Sequence, residues 1–401
     1  MSDQSANVNL QSGIQSALFN LQSAILAAAC LVAAPPLQAS GLTAPEPLAK
    51  AYDLILDARF DEADQQLTQA CGPAPRVGCD VLRAVSLYWQ LLFDPENTTH
   101  DQAILGKANT AIAAAEAWVA REPQRAEAWF YLGGAYGTRV LMRDLRGQLL
   151  AAARDGKRIH DALQQALKFD PTLQDAYFGL GLYHYYAAIA PRVARILGWL
   201  LFLPGGDRAG GLKEMQQTEN RGMLLRGEAD YQLHLIYLWF EHRPMDALQL
   251  ADGLRSRYPH NPLFALRVAT IQSESFHNTQ ASLQTYRALL SLAREKHVAY
   301  PDIAEVQARL GLAQQFDLLC DAAGALEQLR AVIALKPSTP YSSLARAYYQ
   351  LGTVHDRAGR RSEAIAAYRS ALAAIPADDR LHLAPKARDG IARTSIGRAC
   401  R

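Results

Sequence analysis

Apolar positions recur at helical spacing along most of the chain. From Ala44 onward they return every three or four residues, in stretches of about 12–16 residues separated by short polar or Gly- and Pro-containing turns. This spacing places the apolar side chains of each stretch on one face of a helix. The pattern therefore predicts an all-α protein made of consecutive helices joined by short turns.

The helices repeat with a period of about 34 residues, the length of the tetratricopeptide helix–turn–helix unit. The clearest copy covers residues 345–377. Its small residues, Gly352 and Ala364, would let two helices approach closely, and Pro376 would end the second helix. The other positions that match the repeat are Tyr348, Leu351, His355, Gly359, Tyr368 and Ala371.

Further copies make the repeat continuous. One begins at Trp129 and Gly133, and another begins around Gly181. The remaining copies cover residues 77–123, 228–259, 262–293 and 304–337, and residues 60–70 look like the turn and second helix of another. We count about seven helix pairs, which predict a tetratricopeptide-type α-α superhelix with a concave face. Residues 41–377 would form this repeat domain, and residues 378–401 would form a capping helix with a basic tail.

Two units are too long for the period. The first contains a basic stretch within residues 139–158, which fits either two lengthened helices with solvated faces or a basic ridge for an acidic partner or a lipid headgroup. The second contains an insert near 187–204 that predicts a helix led by Pro191 and apolar almost all round. Such a helix would plug the groove, cover an apolar ligand, or lie on a membrane surface.

The second interrupted unit carries a family resemblance. Residues 179–216 read GLGLYHYYAAIAPRVARILGWLLFLPGGDRAGGLKEMQ. This run resembles the tetratricopeptide-repeat-39 and inclusion-body-clearance family, and the flanking segments look like bacterial relatives of that group. The resemblance implies an all-helical repeat scaffold without catalytic residues. Eukaryotic members are linked to lipid-droplet or organelle-associated roles.

The first 40 residues differ from the rest of the chain. Their only charged residue is Asp3, and an apolar run covers residues 24–34. Small residues follow it, so the segment predicts a secretory signal peptide with Ala39 as the last residue removed. Export would place the protein in the periplasm or outside the cell. The alternative is a disordered or loosely helical N-terminus of a cytoplasmic protein.

Cysteine usage depends on the same compartment. Five cysteines are present, and Cys71 and Cys79 bracket the turn-rich stretch CGPAPRVGC. Their spacing permits a local disulfide in an oxidising compartment, and the alternative is two unrelated thiols at helix ends. No cysteine or histidine cluster has the spacing of a zinc site.

The sequence lacks the common motifs of catalytic and phosphate-binding sites. It contains no phosphate-binding loop, no H-E-x-x-H and no G-x-S-x-G. His184 occupies a repeat position, which favours a packed side chain over a catalytic base. A net charge of +2 argues against a nucleic-acid partner. We therefore expect a protein that is not an enzyme and holds no cofactor or metal.

The sequence supports a binding function better than a catalytic one. The positions that line the concave face of such repeats are aromatic in the middle of the chain, and large aromatics on a concave surface commonly anchor a partner. We predict that a protein or peptide partner, or an envelope component, binds this groove. The alternative is a lipid- or membrane-surface-associated protein that uses residues 187–204. If that insert fills the groove, the aromatics become core and the usable surface moves to the rim. The predicted partner-binding residues are Phe130, Phe178, Tyr185, Tyr186, Trp239 and Phe240, and later groove positions include Gln315 and Arg346.

Overall fold

The computed structural model describes residues 41–190 and 204–394, and in these ranges the chain forms 17 helices and no strand. The helices of the first half are α1 (Pro45–Leu56), α2 (Phe60–Ala70), α3 (Arg76–Leu91), α4 (Asp101–Arg121), α5 (Ala126–Leu145), α6 (Leu149–Phe169), α7 (Ala176–Ile189) and α8 (Arg208–Arg221). Those of the second half are α9 (Arg226–Trp239), α10 (Pro244–Arg257), α11 (Pro262–Glu274), α12 (Thr279–Arg294), α13 (Pro301–Leu318), α14 (Ala322–Leu335), α15 (Ser343–Arg357), α16 (Arg361–Ala374) and α17 (Leu383–Ala392).

Helices α1 to α16 form eight consecutive pairs, and α17 packs against α16. The three most extensive helix contacts lie within pairs, and the first helices of several neighbouring pairs also touch. This arrangement confirms the predicted tetratricopeptide-type superhelix, with one pair more than the approximate count from the sequence.

Glycines allow the two helices of a pair to approach closely. A Cβ atom at Gly181 would lie 2.7 Å from the carbonyl oxygen of Gly211 on the facing helix. A Cβ atom at Gly352 would lie 2.5 Å from the ring of Tyr368, which is fully buried. Both distances are shorter than any real contact of such an atom, so these positions require glycine for packing.

The N-terminal helices cover the inner side of the middle of the superhelix. Helix α9 contacts α1, although the two are about 180 residues apart in the chain. The ring of Trp89 on α3 lies 4.7 Å from that of Tyr231 and 6.0 Å from that of Phe264, measured between centroids. Because these rings belong to one buried cluster, the first helices of the fifth and sixth pairs face the chain's own N-terminal pairs.

Buried hydrogen bonds stabilise the packing of the N-terminal helices against the middle of the chain, which we call the closure. The Glu228 carboxylate, on α9, accepts hydrogen bonds from the Tyr52 hydroxyl at 2.9 Å and from the Trp89 indole at 3.3 Å. The side-chain amide of Asn261, between α10 and α11, donates to the carbonyl oxygen of Leu56 at 2.7 Å. Each bond joins the first three helices to the middle of the chain.

The closure continues toward the C-terminus. The backbone N–H of Tyr341, before α15, donates to the Asp94 carboxylate at 2.7 Å. The Arg380 guanidinium, before α17, donates to the carbonyl oxygen of Glu96 and to the Thr98 hydroxyl. The loop between α3 and α4 therefore contacts the segments that precede and follow the last pair, α15 and α16.

The basic stretch of the third pair is largely paired with acids. Asp155 on α6 is fully buried and accepts hydrogen bonds from Arg139 at 2.8 Å and from Arg143 at 2.5 Å. Arg146 donates to the Asp101 carboxylate on α4. These contacts favour lengthened helices whose arginines pack against neighbours, rather than a basic ridge aimed at a partner.

Several sequence predictions fall outside the described residues. They include the signal peptide at 1–40, most of the apolar insert, at 191–203, and the end of the basic tail, from 395 onward. Of the tail segment 378–401, the part described contains α17. Within the described ranges, no helix combines the length and apolarity needed to cross a bilayer.

Candidate partner-binding surface

The six predicted groove residues divide into buried and exposed groups. Phe130 and Tyr185 are core residues, with 4 % and 0 % of their surface exposed, and Phe178 is partly buried. The other three are exposed: Tyr186 by 38 %, Trp239 by 51 % and Phe240 by 39 %. The repeat pattern identified the helix faces, but the long-range packing of the chain decided which side chains reach solvent.

Three exposed aromatics lie near one another along the helix ends: Tyr186 and Phe240, whose rings touch, and Trp239, which precedes Phe240 in the chain. We call these three residues the aromatic patch. It lies at the C-terminal ends of α7 and α9, the first helices of the fourth and fifth pairs. The ring centroids of Tyr186 and Phe240 are 5.7 Å apart and nearly perpendicular, and both rings contact Tyr185 beneath them. This edge-to-face packing fixes the rings in place.

Charged groups border the aromatic patch. The Arg208 guanidinium donates to the Glu241 carboxylate at 2.8 Å, and the Tyr185 hydroxyl donates to the same oxygen. The hydrogen bond from Arg208, followed by that from Tyr185, lowers the pKa of Glu241 despite partial burial. On the other side, the Arg267 guanidinium lies 5.4 Å from the centroid of Trp239. The patch is therefore an apolar surface with a polar border.

A second concave feature, which we call the polar cavity, has a volume of about 240 Å³. It lies between α11, α13 and α15, the first helices of the last three pairs, with one residue from α12. Its lining residues are Leu266, Thr270, Ser273, Glu274, Tyr286, Gln307, Leu310, Gly311, Gln314, Gln315, Arg346 and Gln350. The groove positions read from the sequence included Gln315 and Arg346, but the other glutamines carried no signal beyond their place on the same helices.

A larger cavity of about 580 Å³ lies between α2, α3 and the loop before α13. Its charged side chains largely satisfy one another: Arg59 pairs with Glu62, and Arg83 donates to Asp64 at 3.1 Å. A cavity whose charges are already paired has less to offer a charged ligand, so we consider it the weaker candidate site.

No catalytic constellation is visible in the described part of the chain. His184 is partly buried, and its Nδ1 lies 2.8 Å from the Glu214 carboxylate. A single contact of this kind is ordinary structural pairing between α7 and α8. Within residues 41–190 and 204–394, no cluster of three or more His, Cys, Asp or Glu side chains could hold a metal ion.

The two cysteines of the turn-rich stretch are joined in the structure. A disulfide connects Cys71, at the end of α2, to Cys79 on α3, with 6.2 Å between their Cα atoms. Cys79 is fully buried in the same apolar cluster as Leu67. The bond therefore fastens the first pair to the second at the point where the chain turns.

Comparison with known proteins adds little beyond the fold. The sequence matches no protein-family model and no curated protein. Among solved structures, it is similar to a chain of the APC/C hetero-tetramer Cut9-Hcn1, with a TM-score of 0.49 and 14% identity over 86% of this chain. It spans only 55% of that chain. It is also similar to the human IFIT1 dimer with m7Gppp-AAAA, with a TM-score of 0.39 and 12% identity over 86% of this chain and 84% of that one.

Proposed function

We propose that this chain is a non-catalytic repeat scaffold that binds a protein or peptide partner through the aromatic patch. The observation that carries the proposal is the exposure of Tyr186 and Phe240 in edge-to-face contact, with Trp239 exposed at the preceding position of the chain. Large aromatic side chains that are held rigid and exposed dominate the energetics of protein interfaces. The adjacent guanidiniums of Arg208 and Arg267 would surround such a contact with polar groups, as at a typical interface rim.

Charge supports a protein partner over a nucleic acid. The most basic stretch of the sequence places Arg139, Arg143 and Arg146 on acids of the same chain, so they are not free to neutralise phosphates. The resemblance to the tetratricopeptide-repeat-39 and inclusion-body-clearance family fits a scaffold without enzymatic activity. We propose in addition that the protein is a bacterial member of that group and acts in the periplasm.

A display library of random peptides tests the proposal directly. Peptides selected on the full chain would be synthesised, and their affinity for Trp239→Ala and Tyr186→Ala measured by fluorescence anisotropy. Loss of a central aromatic anchor should weaken binding by about 2 kcal/mol, or roughly thirtyfold. The matched control is Phe169→Ala, because Phe169 is equally exposed, by 39 %, but lies at the end of α6.

The outcomes separate the scaffold from the lipid alternative. Peptides that bind the wild type and both patch variants equally would show that the patch is not the binding site. Flotation with phosphatidylglycerol vesicles, lost on deletion of residues 187–204 and kept in Phe169→Ala, would favour a membrane surface over a protein partner. Tyr185→Ala is unsuitable for this purpose, because Tyr185 is buried and its loss would disturb packing.

A further inference from the structure

The polar cavity contains a guanidinium that has no acid to balance it. Arg346, on α15, forms no ion pair and no side-chain hydrogen bond with any residue in the described ranges. Burial lowers its pKa, because removing the cation from water disfavours the charged form. Arginine nevertheless keeps its charge in proteins, so this cavity holds a cation that is not ion-paired. A buried cation without a partner destabilises the protein in the absence of ligand, and a carboxylate ligand would pair with it.

The cavity also holds acceptors that lack donors. The side-chain carbonyl oxygens of Gln307 and Gln350 are buried and have no hydrogen-bond partner among the described residues. By contrast, the Ser273 hydroxyl and the Gln315 amide, which line the same cavity, satisfy each other at 2.9 Å. Orphaned buried polar atoms are rare in folded proteins and carry a desolvation penalty. Two amide oxygens therefore require N–H or O–H donors.

One carboxylate lies at the mouth of the polar cavity. Glu274, at the end of α11, is exposed and forms no ion pair with the cavity's arginine. Burial raises the pKa of Tyr286, a hydrogen bond with Thr270 lowers it, and the charges of Glu274 and Arg346 act on it in opposite directions. The ring of Tyr286 packs against Gly311, where a Cβ atom would lie 2.4 Å from it. The cavity is thus lined by a closely packed ring, an arginine and a carboxylate.

We propose that the polar cavity binds a free α-amino acid. Its carboxylate would pair with the Arg346 guanidinium, and its ammonium group would donate to the amide oxygens of Gln307 and Gln350 near Glu274. A volume of about 240 Å³ is smaller than the pockets of about 300–1,000 Å³ that take drug-sized ligands, and it suits a small zwitterion. Glu274 would repel ligands with more than one negative charge, such as phosphate.

This site is separate from the aromatic patch. None of the patch residues lines the polar cavity. The nearest link is Arg267 on α11, which contacts Trp239 and follows the cavity residue Leu266 in the chain. Amino-acid binding and partner binding therefore fail or succeed independently of each other. The inference would stand even if the patch bound nothing.

Thermal shift and calorimetry test the inference with the full chain. Each of the twenty common L-amino acids would be screened for a rise in melting temperature, and those that raise it measured by isothermal titration calorimetry. We expect at least one to bind, and Arg346→Gln to weaken it at least about tenfold, as for one charge-assisted hydrogen bond. Arg294→Gln is the control, since Arg294 is exposed at the end of α12 and outside the cavity.

Derivatives of the bound amino acid test the assignment of its two ends. The amide derivative lacks the carboxylate, and the N-acetyl derivative lacks the ammonium group, so both should bind at least about tenfold more weakly. An N-acetyl derivative that binds as well as the parent would point to a peptide carboxyl terminus and overturn the free amino acid. Absence of binding by all twenty amino acids, with the wild type folded, would also overturn the inference.

Discussion

At the scale of single residues, the core contains a histidine that must stay neutral. His234 on α9 is fully buried, and neither ring nitrogen forms a hydrogen bond of good geometry among the described residues. Burial, with a smaller contribution from the nearby Arg267, lowers its pKa to about 3. The unfolded chain would protonate this histidine near its ordinary pKa of about 6.5. The unfolded state therefore binds more protons between these two values, and stability falls as the pH falls through that window.

Replacing this histidine should make the protein less sensitive to acid. We expect His234→Leu to reduce the loss of stability between pH 7 and about pH 4, because the titrating group is gone, and to remove two unsatisfied polar atoms from the core. Urea unfolding at both pH values measures the difference. His297→Leu is the control, because the His297 side chain is 65% exposed. Equal acid sensitivity in the wild type and His234→Leu would contradict the assigned pKa.

At the scale of elements, close contact between the helices of a pair depends on residues without side-chain bulk. Gly352 on α15 faces the ring of Tyr368 on α16, whose hydroxyl donates to Asp356 at 3.1 Å. Because this hydrogen bond and full burial hold the ring, it cannot move aside for an added methyl group. Gly253, in the interior of α10, has open space around the position of a Cβ atom.

Replacing these two glycines by alanine should change stability in opposite directions. Gly352→Ala should destabilise the protein by about 1–3 kcal/mol through overpacking. Gly253→Ala should stabilise it by about 0.5–1 kcal/mol, because alanine loses less backbone freedom in a helix. Chemical denaturation of both variants measures the two signs. A stabilised Gly352→Ala variant would show that the pair is packed more loosely than described.

The sequence predicted the elements better than the surface. Small residues such as Gly352 recur with the period of the repeat, so helix pairs could be located from local pattern alone. The same register placed Arg346 on the inner face, where it lines the polar cavity. Phe130 and Tyr185 have the same kind of register and are nevertheless buried. Tyr185 is covered by Phe240 and Glu241 of the next pair, whereas Phe130 lies in a cluster that includes the N-terminal helices, and the repeat pattern contains no information about either contact.

At the scale of the whole molecule, the N-terminal pairs act as part of the core of the middle pairs. Trp89 has 1 % of its surface exposed and contacts rings from two helices that follow it by about 140 to 175 residues. Its indole also helps to satisfy the buried Glu228, whose pKa is raised by burial. The closure therefore depends on apolar packing and on hydrogen bonds to one carboxylate.

Removing this ring should weaken the whole molecule. We expect Trp89→Ala to lower the free energy of unfolding by about 3–5 kcal/mol, as for a large aromatic lost from a core. Trp239→Ala is the matched control, since Trp239 is half exposed and its loss should change stability by about 1 kcal/mol or less. Similar losses in the two variants, measured by urea unfolding, would contradict the central role of Trp89.

The closure also determines how this chain can acquire its structure. In an ordinary solenoid each unit contacts only its neighbours, so structure can spread unit by unit and ends can fray alone. Here Tyr52 bonds a residue 176 positions later, and Arg380 bonds one 284 positions earlier. Contacts of such high contact order form late and couple distant segments into one cooperative transition. During synthesis, α1 can bury its inner face only after α9 has left the ribosome.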